Sequence, residues 1–266
     1  MAHKTLVNGT AYEISGGRTL VNGTGYSIKG GRTLVNGTGY DVPMSSYLPV
    51  FSDNSWADII EACQTGNVPD DWKVGDQKTM TINGAEYTID IIGKDHDDYA
   101  DGSGKAPLTF QMHELYSSRY SMNSSNTNSG GWTSCAMRVS RLPNILLAMP
   151  TEIQSAIKEV NKLTSAGNRT ATINATADKL FLLSQVEVMG ELNYTFEGEG
   201  TQYEYYAAGN DRAKTLITEV GKSASKWWLR SPASSNNTSF AYITDAGASF
   251  NMTATSTYGI TVAFCF

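Results

Sequence analysis

The sequence predicts a chain of antiparallel hairpins with a few short helices. Charged residues make up only 17% of it against 40% hydrophobic. The polar quota falls to Ser, Thr, Asn, Gly and Tyr, a mixture that suits strands and loops better than long helices. The chain also opens with a fourteen-residue unit that runs Lys4–Gly17, recurs as Arg18–Gly31, and returns as Arg32–Val42 before Pro43. Each unit sets Asn-Gly between β-formers, the strongest short hairpin signal, because a type I′ turn needs positive φ at both central positions.

Residues 1–42 are therefore expected to form three hairpins. A lone two-stranded hairpin is marginal in water, so these should pack on each other, on neighbouring chains or on a larger assembly. Residues 43–54, rich in Pro and Ser, read as a linker. The main domain is expected from 55 to 266. Asn54 or Ser55 can cap a helix over Trp56–Cys63 with Trp56, Ile59, Ile60 and Cys63 on one face. Ile82-Asn83-Gly84-Ala85-Glu86-Tyr87-Thr88-Ile89 repeats the front pattern and predicts a hairpin over 79–92.

The loop Lys94–Gly104 holds Asp95, Asp97, Asp98 and Asp101, which suggests calcium. Its register fails, because Tyr99 stands where a ligand is needed and no closing Glu follows. No metal is expected there. Thr109 can start a helix through Phe110, His113, Leu115 and Tyr116. Ser121–Trp132 is a polar loop. Pro150-Thr151-Glu152 opens the clearest helical pattern, with Ile153, Ile157, Val160 and Leu163 on one face and Lys158 and Lys162 in its later turns. Leu180–Leu183 reads as a buried strand, and Ser184 with Glu187 as a capping box. Glu197 and Glu199 lie in a Gly-rich turn expected to be solvated.

Chemistry-bearing motifs are scarce. The three histidines (His3, His96, His113) sit in no nucleophile motif, and there is no P-loop, HExxH, G-x-S-x-G or CxxC. Cys63, Cys135 and Cys265 are too few and too widely spaced for a disulfide framework and read as buried thiols. No enzymatic activity and no cofactor are expected. Net charge −6 argues against nucleic acid or an anionic membrane as partner. There is no membrane-spanning run, and the first residues lack the apolar core of a secretory signal.

Lys226-Trp227-Trp228-Leu229-Arg230-Ser231-Pro232 is the most distinctive string. Adjacent tryptophans on a strand point to opposite faces, so both sides must be covered, and Arg230 beside them reads as structural. Beyond it, 18 of the 27 positions in 233–259 are Ser, Thr, Asn or Ala, Asp245 is the one acid, and no Lys, Arg or His occurs. Phe240, Ile243 and Phe250 read as anchors, and Ile260–Phe266 as a terminal strand. Small neutral residues with Tyr242 and Tyr258 among them are what adaptable binding surfaces use.

From about Val74 the chain resembles a bacterial and phage family of C-type-lectin-like domains of unassigned function. That family includes variable proteins of diversity-generating retroelements and phage tail receptor-binding proteins. The strings that carry the resemblance are Val74-Gly75-Asp76, the Ile91–Gly104 loop with His96-Asp97, and Gly130-Gly131-Trp132 followed by Met137-Arg138. Asp178–Ser184, Trp227–Pro232 and the ending Gly259–Phe266 complete it. The resemblance implies an α+β fold in which a C-type-lectin-like domain with twisted antiparallel sheets shows a ligand site near the C-terminus. It also implies that 233–259 can be varied through Asn codons, which reach Ser, Thr, Ala, Tyr, Asp, Ile and Gly.

The expected function is therefore recognition of a host surface protein or glycan, from a phage tail or a bacterial surface. The contacts expected are Ser235, Asn236, Asn237, Ser239, Tyr242, Thr244, Asn251, Thr253, Ser256 and Tyr258, with Trp227, Trp228 and Arg230 as structure. The 1–42 hairpins would attach the protein to that assembly and hold a homo-oligomer, a trimer among the options. The alternatives are a structural tail or stalk subunit without a ligand, and an oxidase of the formylglycine-generating type. The calcium-sugar signatures of C-type lectins (Glu-Pro-Asn, Gln-Pro-Asp, Trp-Asn-Asp) do not occur, and the three cysteines offer no counterpart to a copper pair.

Overall fold

The computed structural model describes residues 47–266 apart from Val220 and Lys222, and, of residues 1–46, the backbone of six strands. Those strands pair as three antiparallel ladders: β1 (His3–Val7) with β2 (Thr10–Ile14), β3 (Arg18–Val21) with β4 (Thr24–Ser27), and β5 (Gly31–Val35) with β6 (Thr38–Val42). The Asn-Gly turns expected between them, and residues 43–46 of the expected linker, lie outside the described residues. The chain divides into two compact units, Met1–Trp72 and Lys73–Phe266, each taken by itself below.

In the first unit the expected linker is folded from Tyr47 onward. The Asn54 side chain accepts from the Leu48 N–H at 2.7 Å and donates to the carbonyls of Leu48, Val50 and Phe51. Tyr47 and Phe51 lie against the Trp72 ring, whose Nε1 donates to the Leu48 carbonyl at 2.9 Å. Helix α1 (Trp56–Thr65) starts at a Ser55–Asp58 capping box and ends at Gly66 in the left-handed region. Ile59, Ala62 and Cys63 are buried, while Trp56 and Ile60 are only half-covered. The aliphatic face is therefore narrower than its periodicity suggests.

The second unit is mixed α+β, with antiparallel sheets and short helices. Strand β7 (Gln77–Ile82) turns through Asn83 (φ 49°) and Gly84 (φ 77°) into β8 (Ala85–Lys94), the hairpin expected from Asn-Gly. With β9 (Leu108–Met112) and β15 (Ala263–Cys265) these form one four-stranded sheet in the order β15-β9-β8-β7. The helix expected from Thr109 does not form. Residues 108–112 are buried throughout and pair with strands on both sides, so ladder bonds and packing override local propensity. Phe110 meets Phe264 and Phe266 at ring separations of 5.4 and 5.3 Å, which ties the C-terminal end into the core.

The helix expected from Pro150 is also cut short. Helix α4 (Thr151–Ala156) ends after six residues, and β10 (Val160–Ser165) pairs with β11 (Ile173–Asp178). Leu163 is exposed and Lys162 buried, the reverse of an amphipathic helix, because Lys162 is needed inside as a counter-charge. Leu180–Leu183 is wholly buried but irregular, with one bridge from Phe181 to Ala263. Ser184 and Glu187 form the expected capping box of helix α5 (Gln185–Met189). Cys63, Cys135 and Cys265 are buried thiols. Among the described residues no helix is long and apolar enough to cross a membrane.

Candidate ligand-binding surface on the C-terminal sheet

Strands β12 (Trp227–Pro232), β13 (Ser239–Ile243) and β14 (Ser249–Thr253) form a separate antiparallel sheet in that order. Directly opposed residues on paired strands share a face. One row is Trp228, Tyr242 and Phe250; the other is Trp227, Ile243 and Ser249. Both tryptophans are fully buried, as their adjacency requires. The Trp228 indole N–H donates to the Tyr120 carbonyl at 2.8 Å and that of Trp227 to the Arg212 carbonyl at 2.9 Å.

On the Trp228 side the rings form a continuous patch. Tyr258 lies 4.8 Å from Trp228 and 4.9 Å from Tyr242, and Tyr242 meets Trp228 edge-on at 6.2 Å. Tyr120 exchanges both backbone hydrogen bonds with Tyr258, at 2.9 and 3.1 Å, which places the two side chains next to each other. Tyr116 stacks on Tyr120, and Tyr87 stacks on Tyr116. Lys226 and Arg141 lie over the rings of this patch.

Residues 108–266 match a domain family of unknown function (DUF6273), which is more than half of the chain. The chain belongs to that family. No curated protein and no solved structure matches it. The family match opens on the first residue of β9 and contains the whole aromatic patch except Tyr87. It leaves β7 and β8, two strands of the four-stranded sheet, to the preceding segment.

The ten expected contact residues divide by strand alternation. Asn251 and Thr253 lie on the Trp227 face with Ser239, while Tyr242 lies on the other. Ser235 and Asn237 are exposed, and Asn236, Thr244, Asn251, Thr253, Ser256 and Tyr258 are half-exposed. Ser239 and Tyr242 are buried and need correction as contacts. Ser239 is covered because its carbonyl accepts from the Asn128 side chain, and Tyr242 because Trp228 and Tyr258 close on its ring. Asn236 and Thr244 are committed to turns: Asn236 Oδ1 accepts from the Thr238 N–H, and Thr244 Oγ1 accepts from the N–H groups of Ala246 and Ala248. Phe250 is no anchor; it is 47% exposed and stacks on Tyr194.

Asn128 fixes the loop that carries Ser235–Asn237. Its side chain donates to the carbonyls of Asn236 and Ser239 and accepts from the Asn168 N–H, and its own N–H donates to the Asn237 carbonyl. Around it the backbone is crowded enough to demand glycine. A Cβ on Gly131 would stand 2.1 Å from the Ser165 oxygen, and one on Gly167 1.8 Å from that of Asn128. The Gly130-Gly131-Trp132 string is thus a packing signature, completed by the Trp132 indole N–H donating to Asp178 at 2.8 Å.

Strand β12 also carries Arg230, part of a buried ionic cluster that sequence reasoning only touched. Arg230 donates through both terminal nitrogens to Glu187, and Lys162 donates to Glu187 at 2.8 Å and to Asp97 at 2.6 Å. Burial alone would raise the Asp97 carboxyl, but the Lys162 ammonium outweighs it and holds the group at about 2. Burial likewise opposes ionisation of Glu187, and Arg230 with Lys162 overcomes it. The Asp97 oxygens also accept from the hydroxyls of Thr109 and Tyr203. The loop's central carboxylate is therefore spent on protein partners, and among the described residues no group of three or more His, Cys, Asp or Glu is arranged to hold a metal.

Glu199, expected in a solvated turn, is fully buried. Burial pushes its carboxyl up to about 7, and one of its oxygens accepts from the Ser165 N–H. A Gly-rich turn normally runs over the surface; this one is pinned inward because Arg230 and Ser184 donate to the Glu199 carbonyl.

Proposed function

We propose that the protein recognises a ligand through the C-terminal sheet and the loops around it, on a phage tail or a bacterial surface. The hairpin strands of residues 3–42 would serve for attachment and oligomerisation. The observation that supports this most is the pair of half-exposed rings Tyr120 and Tyr258, backed by the buried Trp228 and Tyr242, in and beside the segment 233–259, whose other exposed side chains, Asp245 and Phe250 apart, are small and neutral. Tyrosine offers broad contact at little entropic cost, and Asn, Ser and Thr offer hydrogen bonds that need no fixed counter-charge. The rigid scaffold beneath supplies pre-organisation. Within this reading the fold is of the C-type-lectin-like kind, and retroelement-directed variation of Asn codons can reach the exposed positions without disturbing the core.

The test is the pattern of variation across codons 233–259 in sibling genomes, together with a search for a near-copy of that segment beside the gene. Substitutions are expected at Ser235, Asn237, Asn251, Thr253, Ser256 and Tyr258, and not at the buried Ser239, Phe240, Ala241 or Ile243. Changes spread evenly over buried and exposed codons, with no near-copy, would overturn the diversified surface.

A further inference from the structure

The aromatic patch is capped by charge that no described residue neutralises. Lys226 Nζ lies 5.8 Å from the Tyr242 ring centroid and 5.7 Å from that of Tyr258, and the Arg141 guanidinium carbon lies 5.9 Å from that of Tyr120. Among the described residues, neither cation makes an ion pair or a side-chain hydrogen bond. Three other cations of the same unit are paired, Lys105 with Asp98 at 3.1 Å, Arg119 with Glu219 at 3.3 Å and Arg138 with Asp178, whereas Lys158, Arg169 and Lys179 show no pair among the described residues either. The Nε of Arg141 is moreover a buried donor with no acceptor. Leaving such a donor unpaired is costly.

The rings select the ligand further. With an ammonium and a guanidinium already beside them, a cationic ligand meets repulsion. An anionic group is favoured, and charge-assisted bonds to Lys and Arg are the strong ones. A peptide anchor seeks a desolvated slot for a large side chain, whereas this patch presents tilted tyrosine rings that carry their own hydroxyls. A pyranose fits both features: its C–H face is weakly positive and meets the negative face of a ring, and its hydroxyls match neutral donors and acceptors. This rests on the recognition reading above and names the chemistry of its ligand.

We propose that Tyr120 and Tyr258 stack the sugar rings of an acidic glycan whose carboxylate is taken by Arg141 and Lys226. Uronate and sialate polymers share that chemistry, so both are used as probes. The experiment is calorimetric titration of the full chain with oligogalacturonate, oligosialate, carboxyl-reduced oligogalacturonate and oligoglutamate. At least one carboxylated sugar should bind, with affinity that falls as salt rises. Carboxyl reduction, or Lys226→Gln with Arg141→Gln, should each weaken that binding by about tenfold or more. Lys226→Arg should retain it, and Tyr258→Ser should weaken acidic and reduced sugars alike. Circular dichroism confirms that each variant is folded.

Equal binding of the reduced sugar would overturn the carboxylate assignment. Binding of oligoglutamate alone, with the same dependence on Lys226 and Arg141, would overturn the glycan and leave the recognition reading standing. If no glycan binds while codon variation still follows the exposed positions, the glycan assignment alone falls. If both tests fail, the recognition reading falls with it.

Discussion

Two regions of the second unit invert the usual distribution of charge. The cluster of Asp97, Lys162, Glu187, Glu199 and Arg230 is buried to within a few per cent, whereas 233–259 carries one acid and no base. Charged residues are rarely fully buried unless paired, and here all but Glu199 are paired. The inversion separates two tasks. The ionic cluster joins β10, α5 and β12 by contacts that only those side chains can make, so it holds the position of the sheet. The surface, made of small neutral groups, can change composition without upsetting an electrostatic balance.

That comparison breaks most readily at Glu187. Replacing it by Ala leaves Arg230 and Lys162 buried without their shared carboxylate, which costs about 3–5 kcal/mol. A domain of ordinary stability would lose most of its margin. Urea unfolding of Glu187→Ala should show a midpoint collapse that surface substitutions on β14 do not approach. A midpoint within the range of those surface variants would mean that the cluster does not hold the sheet.

The pH dependence sharpens the same contrast. Glu199 has its carboxyl raised from the ordinary 4.5 to about 7. Between those values the unfolded chain has released its proton and the folded one has not. Stability therefore falls as pH rises through that window, by about 3 kcal/mol for a group this deeply buried. Asp97 acts in the opposite sense: its carboxyl lies at about 2 instead of 3.8, so its contribution is present above 3.8 and is lost as the pH falls toward 2. From these two groups, stability should peak in mildly acidic solution. Glu199→Gln should flatten the fall between pH 4.5 and 7, read from urea midpoints at half-unit steps. An unchanged slope would show that Glu199 is not the group responsible.

The sequence makes legible what depends on neighbours in the chain. The Asn83-Gly84 hairpin, the Ser55 and Ser184 caps, and the two-sided burial of Trp227 and Trp228 all follow from short-range rules. What fails depends on distant partners. Thr109–Met112 has helical spacing, yet β8 and β15 claim its backbone. Lys162 looks like an exposed helix residue, but Asp97 and Glu187 draw it inside. Glu199 sits in a glycine-rich turn whose inward path is set by Arg230, 31 positions away in sequence. The candidate surface shows the same limit. Residues 233–258 could be picked out by composition, but strand register decides that Ser239 and Tyr242 are covered. Tyr120 and Arg141 join the patch through the Tyr120–Tyr258 bridge and the Trp228 indole bond, for which no local signal exists.

The smallest expected effect completes the comparison. Asn237 and Asn251 form no side-chain hydrogen bond among the described residues, Ser235 accepts only a long one from Asn236 at 3.5 Å, and Ser256 shares one with Thr253 at 3.1 Å. Each substitution by Ala should stay within about 0.5 kcal/mol of the parent. Apart from the Ser256 hydroxyl, no shared partner couples them, so the changes should add and not compound. A chain carrying all four, at Ser235, Asn237, Asn251 and Ser256, should unfold in urea within about 1–2 kcal/mol of the parent while losing the contacts proposed for a ligand. A loss comparable to that of Glu187→Ala would mean that these side chains maintain the fold, and the division between a fixed charged interior and a changeable neutral surface would not stand.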